Sequence, residues 1–211
     1  NQPSRLKIIA VHAVLVVMTF ITLYPVLWVV KMALMPSQAF SMSVNPIPAE
    51  ITLQNFEDLI FARDMQGHWL FAHQLFNSIV VAVSTTLLGV GFATTAAYAF
   101  SRFEFMGRRR GMDLLLVTQM FPGVVMTIPL YILLDELGLL NSLTGMALVY
   151  STTSVPFCVW MLKGYFDTIP EELEEAAIMD GMGQFDIFRK IVLPLAKPGL
   201  VVTALFSFMT A

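Results

Sequence analysis

The sequence predicts an all-α protein that crosses a membrane several times, and two observations support this fold class. The 211 residues are 57% hydrophobic and only 13% charged, whereas ordinary globular domains are about 25% charged. The hydrophobic residues also fall into long uninterrupted runs. A helix needs about 20 mostly apolar residues to cross the hydrocarbon core of a bilayer. We therefore expect a polytopic bundle of helices.

Four apolar runs are long enough to cross a bilayer completely. The first run, 8–30, contains His12 as its only charged or histidine side chain. It is longer than the ~7–15 apolar residues of a cleaved signal, so we expect an anchor helix that stays in the protein. The other three runs contain no Asp, Glu, Lys, Arg or His, and they lie near 75–101, 114–134 and 143–162.

A fifth apolar run, 198–211, is shorter than a complete span. Its 14 residues make roughly 21 Å of helix at about 1.5 Å per residue, against a hydrocarbon core of about 30 Å. The chain also begins with Asn1 and not with methionine. We therefore expect a fragment, truncated after about four and a half transmembrane helices.

The basic residues predict the orientation of the chain in the membrane. Ten of the twelve Lys and Arg residues lie in the N-terminal segment, in 102–113 or in 163–197. Short loops that are rich in Lys and Arg stay on the cytoplasmic side. We therefore predict a cytoplasmic N-terminus and an external position for 35–74 and 135–142.

The predicted organisation has three parts. Residues 1–34 form the cytoplasmic N-terminus and the first transmembrane helix, 35–74 form an external (periplasmic) loop, and 75–211 form the core. In the loop, the prolines of 41–50 favour extended or turn structure, and the apolar spacing of 51–64 predicts a short surface helix. This loop could simply connect two spans or could contact an external partner.

Small residues in the second span predict a helix–helix contact. Gly89, Ala93 and Ala97 recur every four residues, and a face of small residues lets membrane helices approach closely.

Prolines predict irregular helices in the third and fourth spans. Pro122 and Pro129 should bend or unwind the third span, and Pro156 should do the same in the fourth. Bent helices with hydroxyl side chains can line a polar pathway, but they also occur in helical membrane proteins of other kinds.

The sequence excludes several kinds of chemistry. It contains no G-x-x-x-x-G-K-[ST] run, so this chain does not bind ATP phosphates through such a loop. His12, His68 and His73 have no cysteines or paired carboxylates beside them that would complete a metal site, so surface or packing roles are expected, and Cys158 is expected to be packed and inert. No catalytic, cofactor-binding or metal-binding residue is predicted. The spans also lack the buried charges of ion-coupled carriers.

The cytoplasmic segment 163–197 is the polar exception. Thr168 precedes Glu171 by three residues, the spacing of a capping box, and four glutamates lie near the positive end of the helix that follows. Gly181 is predicted to end that helix in a left-handed conformation. A second helix should follow, with Phe185 and Phe188 exposed on one face. Lipid headgroups would repel the glutamates, so a groove on a soluble protein is the favoured contact.

The same segment resembles a known family motif. Glu175-Ala176-Ala177, then Gly181, then Ile191-x-Leu193-Pro194 resembles the EAA loop of the membrane subunits of bacterial ABC importers. AYAFSRFEFMGR at 97–108, QMFP at 119–122, PLYILLDELGLLNS at 129–142 and VWMLKGYF at 159–166 are similar to carbohydrate permeases of this class, particularly those for maltose and maltodextrin.

The resemblance implies a MetI-like permease fold with six spans, in the bacterial cytoplasmic (inner) membrane. It implies four partners besides the bilayer: a second homologous permease, two copies of a cytoplasmic ATPase subunit and an external sugar-binding protein. ATP and Mg would be bound by the ATPase, so no cofactor is expected in this chain, and no nucleic acid.

The resemblance also implies a docking surface for the ATPase. Glu175 would contact a basic ATPase residue, the two alanines would allow close approach, Gly181 would set the bend, and Phe185, Phe188 and Ile191 would fill a cleft. The complete predicted set is Glu175, Ala176, Ala177, Asp180, Gly181, Phe185, Phe188, Ile191, Leu193 and Pro194. The substrate pathway is not assigned.

Other functions remain open at this point. The chain could be an ABC permease for another solute, an ion-coupled secondary carrier, or a structural subunit that never touches the substrate. Copurification with an ATPase, lost when the loop is mutated, would favour the importer over the last two.

Overall fold

The structure is a computed structural model that describes residues 5–36 and 50–211. These residues form nine helices and one isolated β-bridge, between Arg63 and Trp69. The all-α fold class is therefore confirmed. The helices are α1 (Arg5–Ala33), α2 (Gln54–Phe61), α3 (Leu70–Arg102), α4 (Arg108–Met120), α5 (Gly123–Glu136), α6 (Leu143–Phe166), α7 (Glu172–Met179), α8 (Gln184–Leu195) and α9 (Lys197–Thr210).

The chain divides into two compact units, Asn1–Leu75 and Phe76–Ala211. In the first unit, almost every side chain of α1 is exposed although the helix is apolar on all sides, as expected for a span surrounded by lipid. Asn55 Nδ2 of α2 donates hydrogen bonds to the carbonyls of Ala33 at 3.1 Å and Met35 at 2.8 Å. The surface helix predicted within 51–64 is confirmed as α2. The extended structure predicted for 41–50 lies outside the described residues except at Glu50.

Three of the described helices, α1, α3 and α6, are long and apolar enough to cross a membrane. Two further pairs qualify only as bent spans: α4 and α5 meet at 101°, and α8 and α9 meet at 73°. Helices thus cover the predicted apolar runs, although the third run is broken into α4 and α5. Their orientation relative to the two sides of the membrane stays a prediction.

The third span breaks at Pro122, as the sequence predicts. Phe121 and Pro122 are both extended and separate α4 from α5, because proline disfavours helical geometry in the residue before it. Pro129 and Pro156, in contrast, lie inside the uninterrupted helices α5 and α6. Neither helix is unwound at its proline, and the other expected effect, a bend, stays a prediction. A proline removes one helical hydrogen bond, and the bonds of the adjacent turns hold these two helices together.

The small-residue face of α3 packs in the core of the second unit. Ala93 and Ala97 are fully buried and belong to the same apolar cluster as Cys158 and Leu162 of α6. A Cβ atom at Gly89 would lie 2.9 Å from Ser154 Oγ, which hydrogen-bonds to Ser207 Oγ of α9 at 2.6 Å. The predicted helix–helix contact and the packed cysteine are therefore confirmed.

A second glycine brings α9 close to α6. A Cβ atom at Gly199 would lie 2.5 Å from Cγ of Tyr165, a separation shorter than any van der Waals contact. The aromatic ring thus occupies the space that a larger residue would need.

We predict that Gly199→Ala lowers the free energy of unfolding by about 1–3 kcal/mol, the usual effect of overpacking a tight contact. Gly91→Ala is the control, because a Cβ atom there has open space around it in the same kind of helix. Denaturation in detergent micelles measures both variants. Equal stability of the two would contradict the close contact between α6 and α9.

Candidate functional site

Helices α7 and α8 form a hairpin that carries the predicted docking residues, and Gly181 makes its turn. The glycine has a φ of 83°. Its N–H donates to the carbonyl of Ile178 at 2.9 Å, and the N–H of Met182 donates to the carbonyl of Ala177 at 3.0 Å. These two bonds are a Schellman motif. The left-handed end of the helix is therefore confirmed.

The predicted capping box between the described residues Thr168 and Glu171 is not formed. Helix α7 begins only at Glu172. The Thr168 hydroxyl donates to the carbonyl of Tyr165 at 2.7 Å, close to the end of α6. The carbonyls at the end of a helix lack hydrogen-bond partners within it. The Tyr165 carbonyl therefore accepts a hydrogen bond from the Thr168 hydroxyl, and the hydroxyl does not cap α7.

A buried ion pair attaches the hairpin to the last residue of α3. Arg102 Nε lies 2.5 Å from Oε1 of Glu174, and the two side chains are only 7% and 11% exposed. The second carboxylate oxygen accepts a hydrogen bond from the Tyr98 hydroxyl at 2.8 Å. Arg102 Nη2 donates to the carbonyl of Ile169 at 2.7 Å. A buried pair is tolerated when its remaining polar atoms are bonded in this way.

Aromatic rings pack around Tyr98, beside the Arg102–Glu174 ion pair. The ring of Tyr98 lies 4.7 Å from that of Phe188 in α8, centroid to centroid, and 6.0 Å from that of Phe166 at the end of α6. Phe188 begins the π-helical turn Phe188–Val192 within α8. The hairpin is thus joined to α3 and α6 by apolar contacts as well as by charge.

The ten predicted docking residues divide into an exposed group and an inward group. Ala177 is only 5% exposed and belongs to the core cluster of this chain. Phe188, Ile191 and Leu193 are half-buried. The remaining six are exposed on the hairpin: Glu175, Ala176, Asp180, Gly181, Phe185 and Pro194.

This division corrects two expectations about the hairpin. The sequence places Phe185 and Phe188 together on an exposed face, but only Phe185 is exposed, at 72%, because the ring of Phe188 packs on Tyr98. Ala177 is expected to admit another protein, but it shares the inward face of α7 with Glu174, three residues earlier. Contact with an ATPase by any of the ten stays a prediction.

Arg102, Tyr98 and Glu174 are functional residues that the sequence patterns do not identify. Arg102 is one of several basic residues in 102–113, and Glu174 is one of four clustered glutamates. The sequence carries one signal, because Glu174 and Ala177 are three residues apart and so lie on one helix face. The partners of that face are 72 and 76 residues away in the chain, and helical periodicity does not identify them.

A second polar cluster joins α3 to the end of α6. Ser101 Oγ donates to Oδ1 of Asp167 at 2.7 Å, and Lys163 Nζ lies 2.6 Å from Oδ2. Burial alone would raise the pKa of Asp167. Hydrogen bonds from Lys163 and Ser101, with the positive charges of Lys163 and Arg102, outweigh burial and hold the pKa below its ordinary value of 3.8.

The lowered pKa of Asp167 predicts a pH-dependent contribution to stability. It is fully present above the unfolded-state pKa and is lost as the pH falls through the lower, folded-state pKa. We expect Asp167→Asn to lower the melting temperature near pH 7 and to converge with the wild type at acidic pH. Melting curves in detergent from pH 7 to pH 3 measure this.

The control for this prediction is Asp186→Asn. Asp186 pairs with Lys190 at 3.1 Å and is about as exposed as Asp167, 48% against 44%, but Lys190 is 60% exposed whereas Lys163 is 21% exposed. Asp167 also accepts a hydrogen bond from Ser101, and an exposed pair without such support contributes little. We expect a smaller loss near pH 7 from this variant. A constant difference between Asp167→Asn and the wild type at every pH would contradict the prediction.

Comparison with known proteins places this geometry in a family. Residues 86–211 match the binding-protein-dependent transport system inner membrane component family. The chain is 36% identical over 189 residues to the trehalose transport system permease protein SugB of Mycobacterium tuberculosis, covering 90% of this chain and 66% of that protein. It is 38% identical over 161 residues to the maltodextrin transport system permease protein MdxG of Bacillus subtilis, covering 71% of this chain and 58% of that protein.

A solved structure supports the same assignment. The crystal structure of a bacterial ABC transporter involved in the import of the acidic polysaccharide alginate contains a chain that superposes with a TM-score of 0.75 at 25% identity. The match covers 100% of this chain and 72% of that chain. The predicted MetI-like permease fold is therefore confirmed. The chain belongs to the family of binding-protein-dependent transport system inner membrane components.

Proposed function

We propose that the chain is a membrane-spanning permease subunit of an ATP-driven sugar importer in the bacterial inner membrane. It is a transport component and not an enzyme, and ATP and Mg are bound by two copies of a partner ATPase. A second homologous permease and an external sugar-binding protein complete the transporter. Substrates of the maltose and maltodextrin class are supported by the maltodextrin permease MdxG and by the resemblance to the smaller maltose permease subunit, MalG.

The observation that carries the proposal is the rigid attachment of the α7–α8 hairpin. When the two ATPase subunits close on ATP, the docking surface must pass that movement to the membrane helices. The docking surface must therefore be joined firmly to those helices. Glu174 of the hairpin is bonded to Arg102 of α3, and only the buried Ala196 separates α8 from the membrane helix α9. A movement of the hairpin would therefore displace α3 and α9 together.

The exposed side chains of the hairpin have the chemistry of a docking surface. Glu175 and Asp180 are exposed carboxylates, and each could accept a charge-assisted hydrogen bond from a Lys or Arg of the ATPase. The small side chain of Ala176, next to Glu175, would let the ATPase surface approach the hairpin closely. Phe185 offers an exposed aromatic ring, which is the usual form of an interface anchor.

The neighbouring residues Glu174 and Glu175 give a matched test, because one carboxylate faces inward and the other outward. We expect Glu175→Gln to weaken association with the ATPase roughly ten- to a hundredfold, the effect of losing one charged hydrogen bond, without changing the melting temperature. We expect Glu174→Gln to lower the free energy of unfolding by about 3–5 kcal/mol, because Arg102 is left buried without its partner.

Both variants are measured by copurification with the ATPase and by thermal unfolding of the purified permease. Association of Glu175→Gln at the wild-type level would overturn the assigned contact. Unchanged stability of Glu174→Gln would instead overturn the structural role of the buried pair.

A second test concerns the turn of the hairpin. We expect Gly181→Val to uncouple ATP hydrolysis from transport without preventing membrane insertion, because a β-branched residue is strained at a φ of 83°. The control is Gly183→Val, since Gly183 has extended geometry (φ −75°, ψ 154°) and open space around its Cα. ATPase stimulation by the sugar-binding protein is measured in reconstituted vesicles. Full stimulation of the Gly181 variant would refute the coupling role of the turn.

A further inference from the structure

A cleft lined by basic residues lies between the start of α4 and the last third of α6, and no function has been assigned to it above. Its volume is about 1080 Å³, slightly above the range of roughly 300–1,000 Å³ that is typical of small-molecule sites. Its basic side chains, together with an indole ring beside them, are Arg108, Arg109, Arg110, Lys163 and Trp160. We call it the basic cleft.

The basic cleft carries an excess of positive charge. Glu104 and Asp113 also line it, so four basic side chains stand against two carboxylates. Lys163 Nζ lies 2.6 Å from Oδ2 of Asp167, which neutralises one of the four. Three arginines then remain against the two carboxylates. A cleft with a net positive charge concentrates anions from the surrounding solution or membrane surface.

Two of the arginines are not used by the fold. Arg108 Nε donates to the carbonyl of Phe100 at 2.8 Å, and its Nη2 donates to the carbonyl of Ser101 at 3.2 Å, so Arg108 caps the end of α3. Arg109 and Arg110 are exposed, and in the part of the chain that the structure describes neither makes a hydrogen bond or an ion pair. Their guanidinium groups are free to pair with two oxygens of a phosphate at once.

The position of these arginines in α4 adds to the attraction for an anion. They occupy the first turn of the helix, and that turn contains no acidic residue. Because the start of a helix carries a partial positive charge, three cations there are destabilised. An anion bound by the arginine side chains would relieve this repulsion.

The basic cleft lies at the level of the lipid headgroups. The 24 residues of α6 make about 36 Å of helix, which is longer than the hydrocarbon core of about 30 Å. The end of α6 therefore extends into the headgroup region. Trp160 is six residues before that end, and tryptophan is enriched at the interface between membrane and water.

Exposed apolar side chains adjoin the arginines. Phe105 and Met106 line the basic cleft, and both are exposed. A phospholipid supplies a phosphate for the arginines and hydrocarbon chains for these side chains in one molecule. Basic pockets between membrane helices on the cytoplasmic side are a recurring site for anionic lipid headgroups. The combination favours a lipid over a soluble acidic protein.

We infer that the basic cleft binds the phosphate of an anionic phospholipid, of the phosphatidylglycerol or cardiolipin class. Arg109 and Arg110 hold the phosphate oxygens, and Trp160 and Met106 contact the glycerol and the first part of the acyl chains. The inference is independent of the proposed function, because it holds for a membrane-inserted chain whichever solute is transported.

The test removes the two free arginines. The chain is purified in mild detergent with the subunits that accompany it, and palmitoyl-oleoyl phosphatidylglycerol is titrated into the sample. Native mass spectrometry measures the bound lipid. We expect Arg109→Gln combined with Arg110→Gln to weaken the affinity roughly thirtyfold, since each basic residue near a membrane surface contributes about fivefold.

The control removes the same charge from another helix start. Arg5 and Lys7 are exposed basic residues in the first turn of α1, outside the basic cleft, and we expect Arg5→Gln combined with Lys7→Gln to leave the affinity nearly unchanged. Arg109→Lys combined with Arg110→Lys should recover most of the lost affinity, because lysine also pairs with phosphate. If the double glutamine variant does not assemble, Arg110→Gln alone should weaken the affinity about fivefold.

Several outcomes would overturn the inference. An equal loss of affinity in the cleft variant and the Arg5–Lys7 variant would show general attraction by surface charge and no site. Equal binding of phosphatidylcholine would rule out recognition of an anionic lipid. Displacement of the lipid by excess inorganic phosphate would assign the cleft to a free anion. An acidic protein that copurifies only when Arg109 and Arg110 are present, with lipid binding unchanged, would assign it to a soluble partner.

Discussion

The ion pair between Arg102 and Glu174 is the constraint on which the position of the α7–α8 hairpin depends. It joins the last residue of α3 to the first turn of α7, and both partners are nearly excluded from solvent. A charge in such a position is tolerated only when its partner and its other hydrogen bonds stay in place. Tyr98, through Glu174, and Ile169, through Arg102, supply those bonds, so the orientation of α7 is fixed by several groups together.

This constraint divides the hairpin into an inward face and an outward face. With Glu174 bonded to Arg102, Ala177 must face the core, and Phe188 of the next helix packs on the ring of Tyr98. Glu175, Ala176 and Phe185 are consequently left on the outside. The neighbouring glutamates thus have different roles. Glu174 stabilises the fold, and Glu175 is exposed and available to a partner.

A second constraint, the bilayer, governs the remainder of the core. Helices α3, α6 and α9 approach closely because glycines at 89 and 199 leave room for a serine pair and a tyrosine ring. The third span is different, because Pro122 divides it into α4 and α5. The same unit therefore combines three closely packed helices with one span that is broken by a proline.

The sequence alone determined the helical class, the positions of the apolar runs, the close face of α3 and the left-handed turn at Gly181. Each follows from a local property: the thickness of a bilayer, a spacing of four residues, or the backbone freedom of glycine. Only the tertiary structure decided which of two adjacent glutamates faces inward and which aromatic ring is exposed. Those outcomes depend on partners up to 76 residues away, and local periodicity carries no information about such distant contacts.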